Sequence, residues 1–175
     1  MSKKLFILPL FLFGAFLLTT TTSCGDKCAT LDCVNGTCLD GTCECDPGYE
    51  ADSKGICNTE VRAKFLGSYT VNENCSNSGQ ASPYLVGVTS GSGISDVSLS
   101  GFYGPVSTGG FIAAVKATVD GTTINIARQQ PDNDNIFVVG SGSISGTVMT
   151  ITYTVSDETG TPIVSNTCSN VTFTR

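Results

Sequence analysis

Six cysteines, Cys28, Cys33, Cys38, Cys43, Cys45 and Cys57, fall within one short stretch of this chain, and no other feature limits its fold as much. A segment of that size cannot bury an apolar core of its own. Below about 40 residues a domain is held by disulfides, a metal or a partner. Zinc fits poorly, because the sequence contains no His and the spacing lacks paired Cys-x-x-Cys knuckles. Disulfide cross-links are the expected answer.

The N-terminus supplies the oxidising compartment that such bonds need. Lys3 and Lys4 precede an apolar run from Leu5 to Leu18, and Thr19 to Ser23 are small and polar, so residues 1–23 read as an export signal. The run is shorter than the roughly 20 apolar residues that span a bilayer, and no transmembrane helix is expected in the mature chain. Thr21, Thr22, Ser23 and Cys24 resemble the end of a bacterial lipoprotein signal, with Thr21 standing where that family prefers an aliphatic residue. The resemblance implies acylation of Cys24, a tether over residues 24–27, and attachment to the cell envelope at the outer membrane, facing periplasm or cell surface. An ordinary secretion signal is the alternative. The count of nine cysteines favours the lipid, since an acylated Cys24 leaves the six of the module and one pair, Cys75 and Cys168.

The stretch from Cys28 to Cys57 ends its tightest part with Cys43-Glu-Cys45-Asp-Pro-Gly-Tyr49, and Asn35-Gly36 and Asp40-Gly41 are turn pairs. This spacing resembles an EGF-like domain over residues 28–57. The resemblance implies the pairs Cys28 with Cys38, Cys33 with Cys43 and Cys45 with Cys57; spacing alone leaves the connectivity open. Some members of that family bind calcium, for which only Asp26 and Asp40 are candidates here. They fall well short of the roughly six oxygen ligands calcium requires, and Lys27 brings the wrong charge. No metal site is expected.

Residues 58–64 are mostly polar and read as a linker. From Phe65 to Arg175 the pattern changes to short alternating runs between Gly-rich turns. The expected strands are Phe65–Asn72, Tyr84–Thr89, Ser95–Phe102, Phe111–Val119, Thr122–Arg128, Ile136–Gly140, Thr147–Val155 and Ile163–Thr174. Asp120-Gly121 suits a two-residue hairpin turn, and Gly91-Ser-Gly93 and Gly140-Ser-Gly142 read as turns between strands. Met149, Ile151, Tyr153 and Val155 share one face while Thr150, Thr152 and Thr154 share the other. The expectation is an all-β chain: a disulfide-rich module, then an antiparallel barrel or sandwich of about eight strands over residues 65–175.

Cys75 and Cys168 help choose the topology. A bond between them is easiest if the first and last strands are neighbours, as in a closed up-and-down barrel. Gly67-Ser-Tyr69 and the meander order resemble the calycin and lipocalin barrels in architecture, although this chain has no Trp. An outer-membrane barrel would need longer strands and aromatic girdles where this sequence has Thr.

Chemistry is sparse. Without His, no triad can be assembled, and no catalytic residue or cofactor is expected. Asp132-Asn-Asp134-Asn135 reads as a solvated turn. A formal charge of -6 with no basic stripe excludes nucleic acid as a partner. Two functions stay open. In one, the barrel holds a small apolar ligand, lined by Phe65, Tyr69, Ile124, Ile151, Tyr153 and Phe173. In the other, these side chains fill the barrel as a solid scaffold, and its loops or the EGF-like face bind a protein or glycan.

Overall fold

Residues 27–73, 75–76, 83–104 and 109–175 are described by a computed structural model of the chain. The signal stretch, the lipidation candidate Cys24 and the calcium candidate Asp26 lie outside the described residues. At the N-terminal end, β1 (Gly36–Leu39) and β2 (Thr42–Cys45) form a hairpin, turning through Asp40 and Gly41 with positive φ. Cys28–Cys38, Cys33–Cys43 and Cys45–Cys57 are bonded, the same pairs that the family resemblance implies. Cys33, Cys43 and Cys57, with Cys38, Cys45 and Tyr49 packed against them, form the small core of the module. Its last loop is organised by Asp52, whose carboxylate accepts the backbone N–H of Lys54 at 2.8 Å and Ile56 at 3.0 Å.

The remaining strands make one closed antiparallel barrel: β5 (Gly67–Asn72), β6 (Tyr84–Ser90), β7 (Asp96–Ser100), β8 (Val115–Asp120), β9 (Thr123–Gln129), β10 (Ile136–Ser145), β11 (Val148–Asp157) and β12 (Val164–Thr174). Each strand pairs with its neighbour in sequence. Closure comes from β12 against β5, with Phe173 opposite Val71. Just beyond that pairing Cys75 lies opposite Cys168, and the two are bonded, stapling the first strand to the last. The barrel, and not a sandwich, is therefore the fold.

The alternation predicted from the sequence sets the barrel's inside and outside. Along β11, Met149, Ile151, Tyr153 and Val155 are buried while Thr152 is exposed; along β8, Val115, Ala117 and Val119 point in and Lys116 and Thr118 point out. An apolar interior and a polar exterior are the inverse of a lipid-embedded barrel. Inside, aromatic rings form a continuous column. Tyr69 meets Phe173 at 6.4 Å between centroids, Phe173 meets Phe102 at 6.1 Å, Phe102 meets Tyr153 at 4.6 Å, Tyr153 meets Tyr103 at 6.1 Å, and Tyr103 meets Phe111 at 6.0 Å. Edge-to-face and tilted pairs of this kind add to the burial of large apolar area.

Gly140-Ser-Gly142 is not a turn, contrary to the sequence reading. It lies in the middle of β10, with Gly140 opposite Tyr153 and Gly142 opposite Ile151. A Cβ on Gly140 would meet Tyr153 Cβ at 2.5 Å, and one on Gly142 would meet the Thr150 carbonyl at 2.1 Å. The glycines make room inside the barrel for the larger side chains across from them.

Residues 58–64 are likewise not a loose linker. β4 (Thr59–Glu60) pairs with β3 (Tyr49–Glu50), and a 3-10 turn, η1 (Val61–Lys64), follows at once. Val61 and Phe65 are both buried in the barrel core. Arg62 ties the turn to the β6–β7 loop, donating to the carbonyls of Gly93 at 2.7 Å and Gly91 at 3.3 Å, and it pairs with Glu60. The Val61 N–H donates to the Gly48 carbonyl at 2.9 Å. Gly48 has positive φ and abuts Ile94, where a Cβ would come within 2.6 Å of Ile94 Cγ2. Two apolar anchors four residues apart fasten this polar stretch to the barrel end as a joint.

Phe102 sits at the middle of the ring column and is fully buried. Replacing it with Ala removes contacts to Tyr153 and Phe173 together, and is expected to destabilise the barrel by about 3–5 kcal/mol in urea unfolding. A loss below about 1 kcal/mol would show that the column is not close-packed.

Candidate functional site

The barrel has two unlike ends. Strand directions put the β6–β7, β8–β9 and β10–β11 turns at the end where η1 and the disulfide-rich module dock, and the longer β5–β6, β7–β8, β9–β10 and β11–β12 connections at the other. Described residues of the β7–β8 connection fold back over the interior. Phe102, Tyr103 and Phe111, all in the β7–β8 connection, are buried there. Tyr103 holds a φ of 64°, a costly value for a bulky residue, and its hydroxyl accepts from Asn166 Nδ2 at 2.8 Å.

Beneath them Glu73 accepts hydrogen bonds from the hydroxyls of both Tyr84 and Tyr153. Burial raises the pKa of both phenols far above the ordinary value, and the adjoining carboxylate of Glu73 raises them further. Burial also raises Tyr69, whose hydroxyl donates to the Phe65 carbonyl at 2.9 Å, while Arg175 partly offsets the shift. In the Glu73 cluster the carboxylate accepts from both phenols, and the neighbouring sulfurs of Cys75 and Cys168 are bonded to each other. Those three side chains are also the one grouping with metal-ligand proximity among the described residues, and the disulfide removes its thiolates.

The six residues expected to line a ligand chamber are all in the barrel core. Phe65, Tyr69, Ile124, Ile151, Tyr153 and Phe173 are each no more than 1% exposed and belong to one packed cluster. The structure brings them together, with three of them in the ring column. Asp40 occupies the positive-φ position of the β1–β2 turn. Asp132 accepts the backbone N–H groups of Ile112 at 2.8 Å and Ala113 at 2.7 Å, so the acidic turn pins the β7–β8 connection.

A concave site lies instead on the outer face. A cleft of about 490 Å³ crosses β7, β8 and β9 and is lined by Ser92, Ser98, Lys116, Thr118, Asn125 and Gln129, among others. Its origin is a local parting of two strands. β8 and β9 pair directly only at Thr118–Asp120 with Thr123–Asn125. Further along, the Gln129 side chain spans the gap, accepting the Lys116 N–H at 2.8 Å and donating to the Lys116 carbonyl at 2.6 Å. The resulting surface offers hydroxyls, amides, the Asp96 carboxylate and one ammonium, beside the small apolar residues Val97, Ala117 and Ala127. Among the described residues no aromatic side chain lines it. Alternation marks these positions as outward, but no sequence signal marks them as concave.

No family model matches the chain, and a search of the curated proteins finds no similar sequence.

The buried phenols give a pH dependence of known sign. A phenol with a raised folded-state pKa holds its proton in the folded chain at pH values where the unfolded chain has lost it, so stability is full below about pH 10 and falls as pH rises beyond that. Alkaline unfolding monitored by circular dichroism is expected to show this fall, and Tyr153→Phe is expected to flatten it. An unchanged slope in the variant would contradict the assignment.

Proposed function

We propose that this is a non-catalytic, lipid-anchored protein of the bacterial cell envelope, whose barrel binds a glycan on its outer face. The observation that carries the reading is the contrast between an interior occupied by its own aromatic side chains and an outer cleft that presents hydrogen-bonding groups among small apolar ones. A closed barrel offers no edge for strand addition by a peptide. A cleft without large apolar or aromatic anchors is also ill suited to a protein hot spot. Hydroxyl, amide and ammonium groups at Ser98, Thr118, Asn125 and Lys116 suit a polyhydroxylated ligand. The ring column and the lack of His argue against catalysis in the interior.

The remaining parts fit this role. The module over residues 28–57 resembles an EGF-like domain in spacing, and its bonds have that family's pairing. Four disulfides favour an exported protein. Acylation at Cys24 would fix the module to the membrane, at the outer membrane and facing periplasm or cell surface, and the joint would hold the barrel above it. No cofactor is proposed.

A glycan array probed with the detergent-solubilised full chain tests this reading. Binding is expected, and Asn125→Ala and Lys116→Ala are each expected to weaken it about tenfold, the worth of one lost hydrogen bond to a polar ligand. Binding unchanged in both variants would remove the cleft from the account. An apolar molecule retained through native mass spectrometry would favour the interior instead.

A further inference from the structure

Two exposed leucines stand where the described chain begins. Leu31 is 37% exposed and Leu39 is 56% exposed, and Val34 between them is also exposed. They sit close to one entry point. The Leu31 N–H donates to the Cys28 carbonyl at 3.1 Å, and Leu39 follows Cys38, the bonded partner of Cys28. Lys27 lies against the same turn, since a Cβ on Gly41 would meet Lys27 Cβ at 3.0 Å. The backbones of Leu31, Leu39 and Lys27 thus all lie near the place where the chain enters the module.

Covalent geometry limits how far this tip can stand from an acylated cysteine. Three residue steps separate Cys24 from Lys27, a reach of at most about 11 Å when fully extended. The headgroup layer on each side of a bilayer is about 5–8 Å deep. We infer that the Leu31 and Leu39 tip of the module docks on the lipid surface itself, with the two leucines in the headgroup and acyl boundary and Lys27 snorkelling to the headgroups. Asp32 and Asp40 beside them are exposed and stay in water, so the surface that fits is zwitterionic and not strongly anionic. The inference rests on acylation of Cys24 as proposed above. It adds a second contact that fixes the tilt of the molecule, which a lone flexible tether would leave free.

The chain has no Trp, so a single introduced Trp reports its own surroundings. Full-length Leu39→Trp protein, labelled with a fatty-acid analogue to score Cys24, is reconstituted in phosphatidylcholine vesicles with and without brominated acyl chains. Leu31→Trp serves as the second tip probe, and Leu85→Trp, 71% exposed on the barrel's outer face, as the distant one. The expected result is a blue-shifted emission that loses most of its intensity to bromolipid in both tip variants, with the Leu85→Trp emission unaffected. Labelled protein whose tip variants respond no more than Leu85→Trp overturns the docking and leaves the anchor standing. Absence of label on Cys24 removes the anchor and the docking together.

Discussion

A column of aromatic rings inside a closed barrel is the constraint on which the rest of this structure depends. Tyr69, Phe173, Phe102, Tyr153, Tyr103 and Phe111 run from the docked end to the looped end. Filling the barrel in this way requires glycine at 140 and 142 on the facing strand, because Tyr153 and Ile151 occupy the space a side chain there would need. It also requires the β7–β8 connection to turn inward, at the cost of a positive φ at Tyr103. Both departures from ordinary strand and loop behaviour follow from the volume of the rings.

The same packing bears on the recognition proposed for the outer face. Interior polar groups are spent on one another, with Glu73 accepting from two phenols and Tyr69 donating to Phe65. The end with short turns is covered by the joint, through Val61, Arg62 and Gly48. On the outer surface, a concavity arises where β8 and β9 part and Gln129 bridges them.

Much of this architecture was legible in the chain, for definite physical reasons. Strict alternation from Met149 to Val155 fixes a half-buried strand and its inward face, and Asp120-Gly121 marks the hairpin between β8 and β9. Cys75 and Cys168 pointed to the pairing of first and last strands that closes the barrel. The features that escaped depend on a partner across the fold. Gly140-Ser-Gly142 looks like a turn until Tyr153 is placed opposite it. Val61 and Phe65 look incidental until the barrel end that receives them exists. The meeting of Glu73, Tyr84 and Tyr153 joins residues up to 80 positions apart, and nothing local announces it. The cleft escaped because curvature is a property of the sheet, whereas alternation reports only which way a side chain points.

The central claim is that the barrel is filled by its own side chains. Thermal unfolding of the full chain with and without a saturating small apolar probe such as benzene tests it most directly, because a ligand that binds only the folded state raises the midpoint by mass action. The account predicts the same unfolding temperature in both conditions. A clear rise with the probe would mean an accessible apolar chamber, and would contradict it.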